Sequence, residues 1–271
     1  MLVRLASTLA LTLALAAPSQ AAQPPPANAG FDYQIGGDYA LPAGVSVVSR
    51  DWYIGDAPRG TYAICYVNAF QTQDDESGVR RRDERSAWPR DLVLSRLGDD
   101  PNWGGEYLID ISTAARRKRA ARWVQPMIRT CAKKGFDAVE YDNLDSWTRF
   151  DDTPRSGDVP FGKADAIAYA KLLAKRAHKL GLAVGQKNTV ELSRRQARRQ
   201  IRFDFAIAEE CGRFDECEDY RDVYGDRVIA IEYRRSDFEA ACSAVGARIS
   251  VVLRDLGVSR PGSDSYVYDS C

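Results

Sequence analysis

Short apolar runs alternate with amphipathic helical stretches along most of the chain, and this alternation limits the fold more than any other feature. The runs fall at residues 33–35, 45–48, 62–67, 107–111, 136–141, 182–184, 203–208, 228–233 and 249–253. Several are apolar throughout, the pattern of parallel strands covered on both faces. Between them, Ile167, Ala170, Leu173, Ala174, Ala177 and Leu180 form one stripe of a helix predicted over 164–180. Lys171, Lys175, Arg176 and Lys179 lie opposite, and Gly181 is the stop. A second helix is predicted from Ser112 or Thr113 to Lys134, closed by Gly135 and kinked or split at Pro126. A third is expected over 190–200, with its arginines on a solvated face. Repeated βα units of this length predict a parallel sheet, doubly wound or closed. The glycine-rich phosphate loop that a doubly wound sheet would want is missing from the sequence. The expected fold is therefore an α/β (β/α)8 TIM barrel. One run is surplus, and 45–48 or 249–253 is expected as an accessory strand outside the barrel.

The chain's ends point to export. Residues 1–22 read as a signal peptide, with Arg4 in the n-region, an apolar stretch at 9–17 too short for a bilayer, and cleavage near Ala21 or Ala22. Residues 23–30, including Pro24, Pro25 and Pro26, read as an extended Pro-rich linker, which leaves 31–271 as a single domain. A secreted, monomeric protein without stable membrane association is expected. In an oxidising compartment the six cysteines read as disulfides. Cys211 with Cys217 would staple a local loop, Cys271 with Cys242 would hold the C-terminus, and Cys65 with Cys131 remains.

Composition then narrows the chemistry. Lys plus Arg and Asp plus Glu both number 38, a formal net charge of +0, which speaks against a nucleic-acid partner. His178 is the one histidine, so a multi-histidine metal site is ruled out and a triad would have one possible base. Carboxylates, by contrast, recur where barrel strands would end: Asp110, then Glu140, Asp142 and Asp145, then Glu209 and Glu210, then Glu232. A single acid there reads as a helix cap, but four acidic strand ends at one rim would repel and raise at least one pKa. Two carboxylates flanking a glycosidic bond suffice for sugar hydrolysis without metal or cofactor. Trp52, Tyr53, Trp103 and Trp147 fall near loops where rings could stack on sugars or simply fill core space. The charged stretch 74–90 is expected to be a solvated loop.

The ordered segments 65–68 (CYVN), 105–111 (GEYLIDI), 134–145 (KGFDAVEYDNLD), 185–188 (GQKN), 204–211 (DFAIAEEC) and 231–233 (IEY) resemble glycoside hydrolase family 114, the endo-α-1,4-polygalactosaminidase TIM-barrel family. The resemblance implies a secreted barrel that cleaves an amino-sugar polymer with two carboxylates. It places the catalytic pair on Asp142 and Glu209, with Asp142 as nucleophile or water-activating base and Glu209 as proton donor. Neighbouring Glu210, Glu232 or Asp142 would then keep that donor protonated. Glu140, Asn143, Asp145, Lys187, Asn188 and Tyr233 would orient hydroxyl or amino groups, and Asp110, Glu210 and Glu232 would join them in binding substrate. Strand alternation leaves an alternative open: if Ala206 and Ala208 face the barrel interior, Glu210 points inward instead of Glu209. On the other strand Ala138, Glu140 and Asp142 share one face. After residues 62–67 the family continues with a glycine-containing turn and a glutamate, whereas this chain has NAFQTQ at 68–73. Two other functions compete: a carbohydrate-binding barrel without turnover, and a divalent-metal hydrolase with Glu140, Asp142 and Asp145 as oxygen ligands.

Overall fold

The computed structural model describes residues 22–73 and 88–271. The signal segment and most of the charged 74–90 stretch lie outside the described residues. Eight parallel strands form the barrel: β1 (Gly30–Gln34), β2 (Val45–Asp51), β3 (Tyr62–Asn68), β4 (Ala138–Asp142), β5 (Ala183–Lys187), β6 (Phe205–Glu209), β7 (Val228–Glu232) and β8 (Ser250–Arg254). A short β9 (Tyr268–Ser270) pairs antiparallel with β8.

The two candidates for the accessory strand, 45–48 and 249–253, are thus both in the barrel, as β2 and β8. The surplus run is 107–111. It makes isolated antiparallel bridges, Leu108 to Gln71 and Ile109 to Val93, with loop segments rather than with a barrel strand. Its apolar residues are buried by those loops, so hydropathy alone could not separate it from a core strand.

Interior-facing side chains include Phe31, Val47, Ile64, Ala138, Ala183, Phe205, Ile207, Ile229, Ile231 and Val252. The opposite faces, with Ala206, Ala208 and Ala230 among them, pack against the helices. The alternative parity left open for β6, with Ala206 and Ala208 inward, is therefore not the one adopted. Small alanines let the helical layer approach, while Phe205 and Ile207 fill the barrel. Gly185 makes room for them, since a Cβ there would meet the Phe205 ring at 3.0 Å.

Helices follow only some strands: α1 (Ala114–Lys133), α2 (Lys163–His178), α3 (Cys217–Tyr224) and α4 (Arg235–Val245). The oxygen of Thr113 caps α1 by accepting from the Arg116 backbone N–H at 3.2 Å. The helix continues through Pro126, so of the expected kink or split the split does not occur. Pro126 lies on the exposed side, where water can satisfy the carbonyl that loses its donor. The helix expected over 190–200 is confined to a seven-residue π-helix at Arg195–Ile201. His178 is structural: its Nε2 lies 2.7 Å from Asp204 Oδ2, and that oxygen also accepts from the Val184 N–H.

The barrel closes between β8 and β1 through side chains. Arg254, fully buried, donates to Asp32 Oδ1 at 2.9 Å, to the Tyr33 carbonyl, to Ser259 O at 2.8 Å and to Val267 O at 3.0 Å. Residues 23–29 continue this closure. Gln23 O accepts from the Tyr62 hydroxyl at 2.6 Å, Ala29 O accepts from Ser250 Oγ at 2.7 Å, and Ala22 and Ala29 pack on the interior cluster. The cysteines pair as 65–131, 211–217 and 242–271. No described helix is long and apolar enough to cross a membrane.

Candidate active site

Strands β4, β5 and β6 end side by side, and each delivers one charged side chain to the barrel mouth. Asp142, Lys187 and Glu209 are those residues. Immediately after them the chain turns through left-handed backbone: Asn143 at φ 61°, Asn188 at φ 47° and Glu210 at φ 57°. Such a turn ends the strand at once and throws the next side chain aside. It decides the Glu209 and Glu210 question geometrically. Glu209 continues the interior face of Phe205 and Ile207, whereas Glu210 swings out to Arg213 at 2.7 Å.

Lys187 is the hub. Its Nζ lies 3.0 Å from Asp142 Oδ1, 3.2 Å from Glu209 Oε2 and 3.1 Å from the Tyr33 hydroxyl. The lysine is 1% exposed, while the two carboxylates keep 18% and 24% of their side chains open. Burial would lower its pKa, but the charges of Asp142, Glu209 and Glu140 outweigh that and hold it well above the usual lysine range. The Tyr66 hydroxyl donates to Asp142 Oδ2 at 2.6 Å. Burial opposes ionisation of Asp142. Even so, Lys187, Tyr66 and the Asn143 backbone together hold it below the usual carboxylate range. Around Glu209, Tyr233 donates its hydroxyl to Oε1 at 2.5 Å and Asn188 Nδ2 donates to Oε2 at 2.9 Å. Asn188 Oδ1 also accepts the Glu209 backbone N–H at 2.8 Å, which fixes the strand end.

The remaining sequence-predicted residues separate into three groups. Asn143, Asp145, Asn188 and Tyr233 line a cleft of about 460 Å³ together with Asp142 and Glu209, a size suited to a small ligand. Glu140 lies beneath the mouth, wholly buried and bonded to Ser49 Oγ. Burial pushes its pKa up to about 7 against the pull of Lys187 and Ser49. Asp110, Glu210 and Glu232 stand outside the cleft lining. Asp110 accepts from the Ser112 N–H and hydroxyl and pairs with Arg116 at 3.2 Å, fastening the start of α1. Glu232 accepts the Gly212 N–H at 2.7 Å and so holds the turn that follows Glu209. Neither Glu210 nor Glu232 bonds to Glu209: the first pairs with Arg213 and the second with the Gly212 N–H.

Of the four aromatic residues expected near sugars, Tyr53 and Trp103 line the cleft, whereas Trp52 and Trp147 pack on the hydrophobic core. Sequence reasoning missed Tyr66, Glu106 and Arg149, all of which line the cleft. Tyr66 was recoverable from alternation along β3. Glu106 and Arg149 come from irregular loops with no periodic signal.

A barrel of parallel strands with two carboxylates together at its carboxyl-terminal mouth has the groups that two-carboxylate glycoside hydrolysis requires. The chain belongs to glycoside-hydrolase family GH114, whose profile matches residues 12–271. Among solved structures it is similar to Ega3 of Aspergillus fumigatus in complex with galactosamine, with a TM-score of 0.72 and 20% identity over 93% of this chain and 98% of that one. It is also similar to the glycoside hydrolase domain of PelA from Pseudomonas aeruginosa, with a TM-score of 0.52 and 10% identity over 88% and 98%. No curated protein matches it in sequence.

Proposed function

We propose that the protein is an exported hydrolase of internal α-1,4 linkages in a galactosamine-containing polysaccharide, with Asp142 as nucleophile and Glu209 as acid, then base. The observation that carries this is the bridge: Lys187 Nζ at 3.0 Å from Asp142 Oδ1 and 3.2 Å from Glu209 Oε2. One buried cation thus holds an oxygen of each acid at the barrel mouth, where both carboxylates can address a single sugar linkage. In the first step the glycosidic oxygen takes the Glu209 proton as its bond to the anomeric carbon breaks, and Asp142 attacks that carbon. In the second, water gives a proton to Glu209, attacks the same carbon and releases Asp142. Lys187 and Tyr66 keep the nucleophile ionised between turnovers.

Family membership supports the reaction class, and the galactosamine bound to Ega3 supports an amino-sugar substrate. The three disulfides support export. The test is to incubate the protein with deacetylated and fully acetylated polymer and follow new reducing ends by NMR. Products should appear first as the α-anomer, from the deacetylated polymer. Products appearing first as the β-anomer would remove Asp142 as nucleophile, and silence on both polymers would remove the substrate.

A further inference from the structure

The loop at residues 99–106 builds a second feature of the cleft that the reaction above leaves unused. Two of its acids serve the loop itself. Asp99 Oδ2 accepts the Gly105 N–H at 2.9 Å. Asp100 Oδ1 accepts the backbone N–H groups of Asn102 at 2.8 Å and Trp103 at 3.2 Å, while Oδ2 takes Gln71 Nε2 at 2.8 Å and Arg149 Nε at 3.0 Å. The loop is thereby fixed, with the Trp103 ring 38% exposed on the cleft wall.

Glu106 behaves differently from those two acids. It lines the cleft near Asp142, and among the described residues only its Oε2 has a partner, Asn68 Nδ2 at 2.9 Å. Nearby cations are already engaged: Lys187 with Asp142 and Glu209, Arg149 with Asp100, Asp145 and Asn143. Burial, then the charge of Asp142, push the Glu106 pKa up to about 8, with Asp100 adding and Asn68 and Arg149 opposing. Among the described residues, Glu106 therefore has no cation committed to it.

We propose that Trp103 and Glu106 form an amino-sugar subsite, in which the indole stacks on the apolar face of a hexosamine unit and Glu106 binds that unit's ammonium. The subsite rests on the polysaccharide reading above and deepens it by naming what separates a free amine from an N-acetyl group. An incoming ammonium supplies the missing positive charge, so the Glu106 proton leaves to solvent as a charge-assisted hydrogen bond forms. An acetamide brings no charge and leaves the carboxyl protonated. Asn68, which ends β3 and opens the segment NAFQTQ at 68–73, is the residue that holds Glu106.

Calorimetric titration of the full chain with galactosamine at pH 6.5, in two buffers of different ionisation enthalpy, reads the proton directly. Wild type should release protons on binding. Glu106→Gln should release none and bind roughly ten- to a hundredfold more weakly. N-Acetylgalactosamine should not distinguish the two proteins. Trp103→Ala, at an exposed position, should weaken both sugars by a similar factor and leave their ratio unchanged. Unaltered discrimination between the two sugars in Glu106→Gln, or no galactosamine binding by wild type, overturns the subsite. Proton-releasing binding by a wild type that cleaves no polymer would instead overturn the hydrolase reading and leave the subsite standing.

Discussion

Two buried clusters in this barrel each set a cation among acids, and they are built to opposite ends. At the seam, Arg254 and Asp32 are both 0% exposed, and the guanidinium's remaining N–H groups go to the carbonyls of Tyr33, Ser259 and Val267. At the mouth, Lys187 is equally hidden, but the carboxylates it bridges stay partly open to a cleft. Arginine's planar fork suits the first task, because it can satisfy several carbonyls at once in fixed geometry. A lysine's compact charge suits the second, where it holds two acids close and leaves their outer faces for a ligand. Burial of an ion pair therefore does not mark function. The openness of its acid partners does.

The largest effect should come from removing an acid at the mouth. Asp142→Asn should lower the rate of reducing-end release at least ~10³-fold, and Glu209→Gln roughly 10²–10⁴-fold. Melting temperatures should stay near wild type, because Lys187 keeps one mouth acid as counter-charge and the Tyr33 hydroxyl as a hydrogen-bond partner. Wild-type turnover in Asp142→Asn would break the comparison at its functional end. The seam should respond in the opposite way. Arg254→Leu strands a buried Asp32 and should destabilise the fold by about 3–5 kcal/mol, read by denaturant unfolding. The activity of the remaining folded fraction should be unchanged. A large fall in specific activity with little loss of stability would mean that the seam belongs to the site.

The two clusters were not equally legible in the sequence. The mouth acids stood out because Glu140-Tyr141-Asp142-Asn143 and Glu209-Glu210 close apolar runs, and Asn143 and Asn188 are residue types that tolerate the left-handed turns found there. Glu210 in such a turn is not a residue that propensity would pick. The alternative inward face of β6 rested on the size of Ala206 and Ala208, whereas these alanines face the helices. The seam gave no signal at all. Asp32 and Arg254 are 222 positions apart, and each looks like an ordinary polar residue at a strand end. Periodicity revealed the apolar runs, 107–111 among them, but not which of them are barrel strands, since that depends on partners distant in sequence. Glu106 and Arg149 escaped for the same reason, because loop geometry placed them.

A third and smaller effect sharpens the comparison through pH. Glu140 under the mouth is raised from 4.5 to about 7 by burial, and Glu232 from 4.5 to about 7 for the same reason. A folded-state pKa above the unfolded one means that the native protein binds more protons over this window. Their stabilising contribution is complete below about pH 4.5 and is lost as pH rises through about 7. Asp142 has the opposite sign, and its contribution is lost only in acid, below the ordinary 3.8. Wild type should therefore melt at a higher temperature at pH 5 than at pH 7.5. For Glu140 alone the expected difference is on the order of 3 kcal/mol, or several degrees for a chain of this size. Glu140→Gln should flatten that slope, because the amide needs no proton to remain neutral beside Lys187. A slope identical in Glu140→Gln and wild type would show that Glu140 is ionised in the native fold, making the mouth as fully charge-paired as the seam.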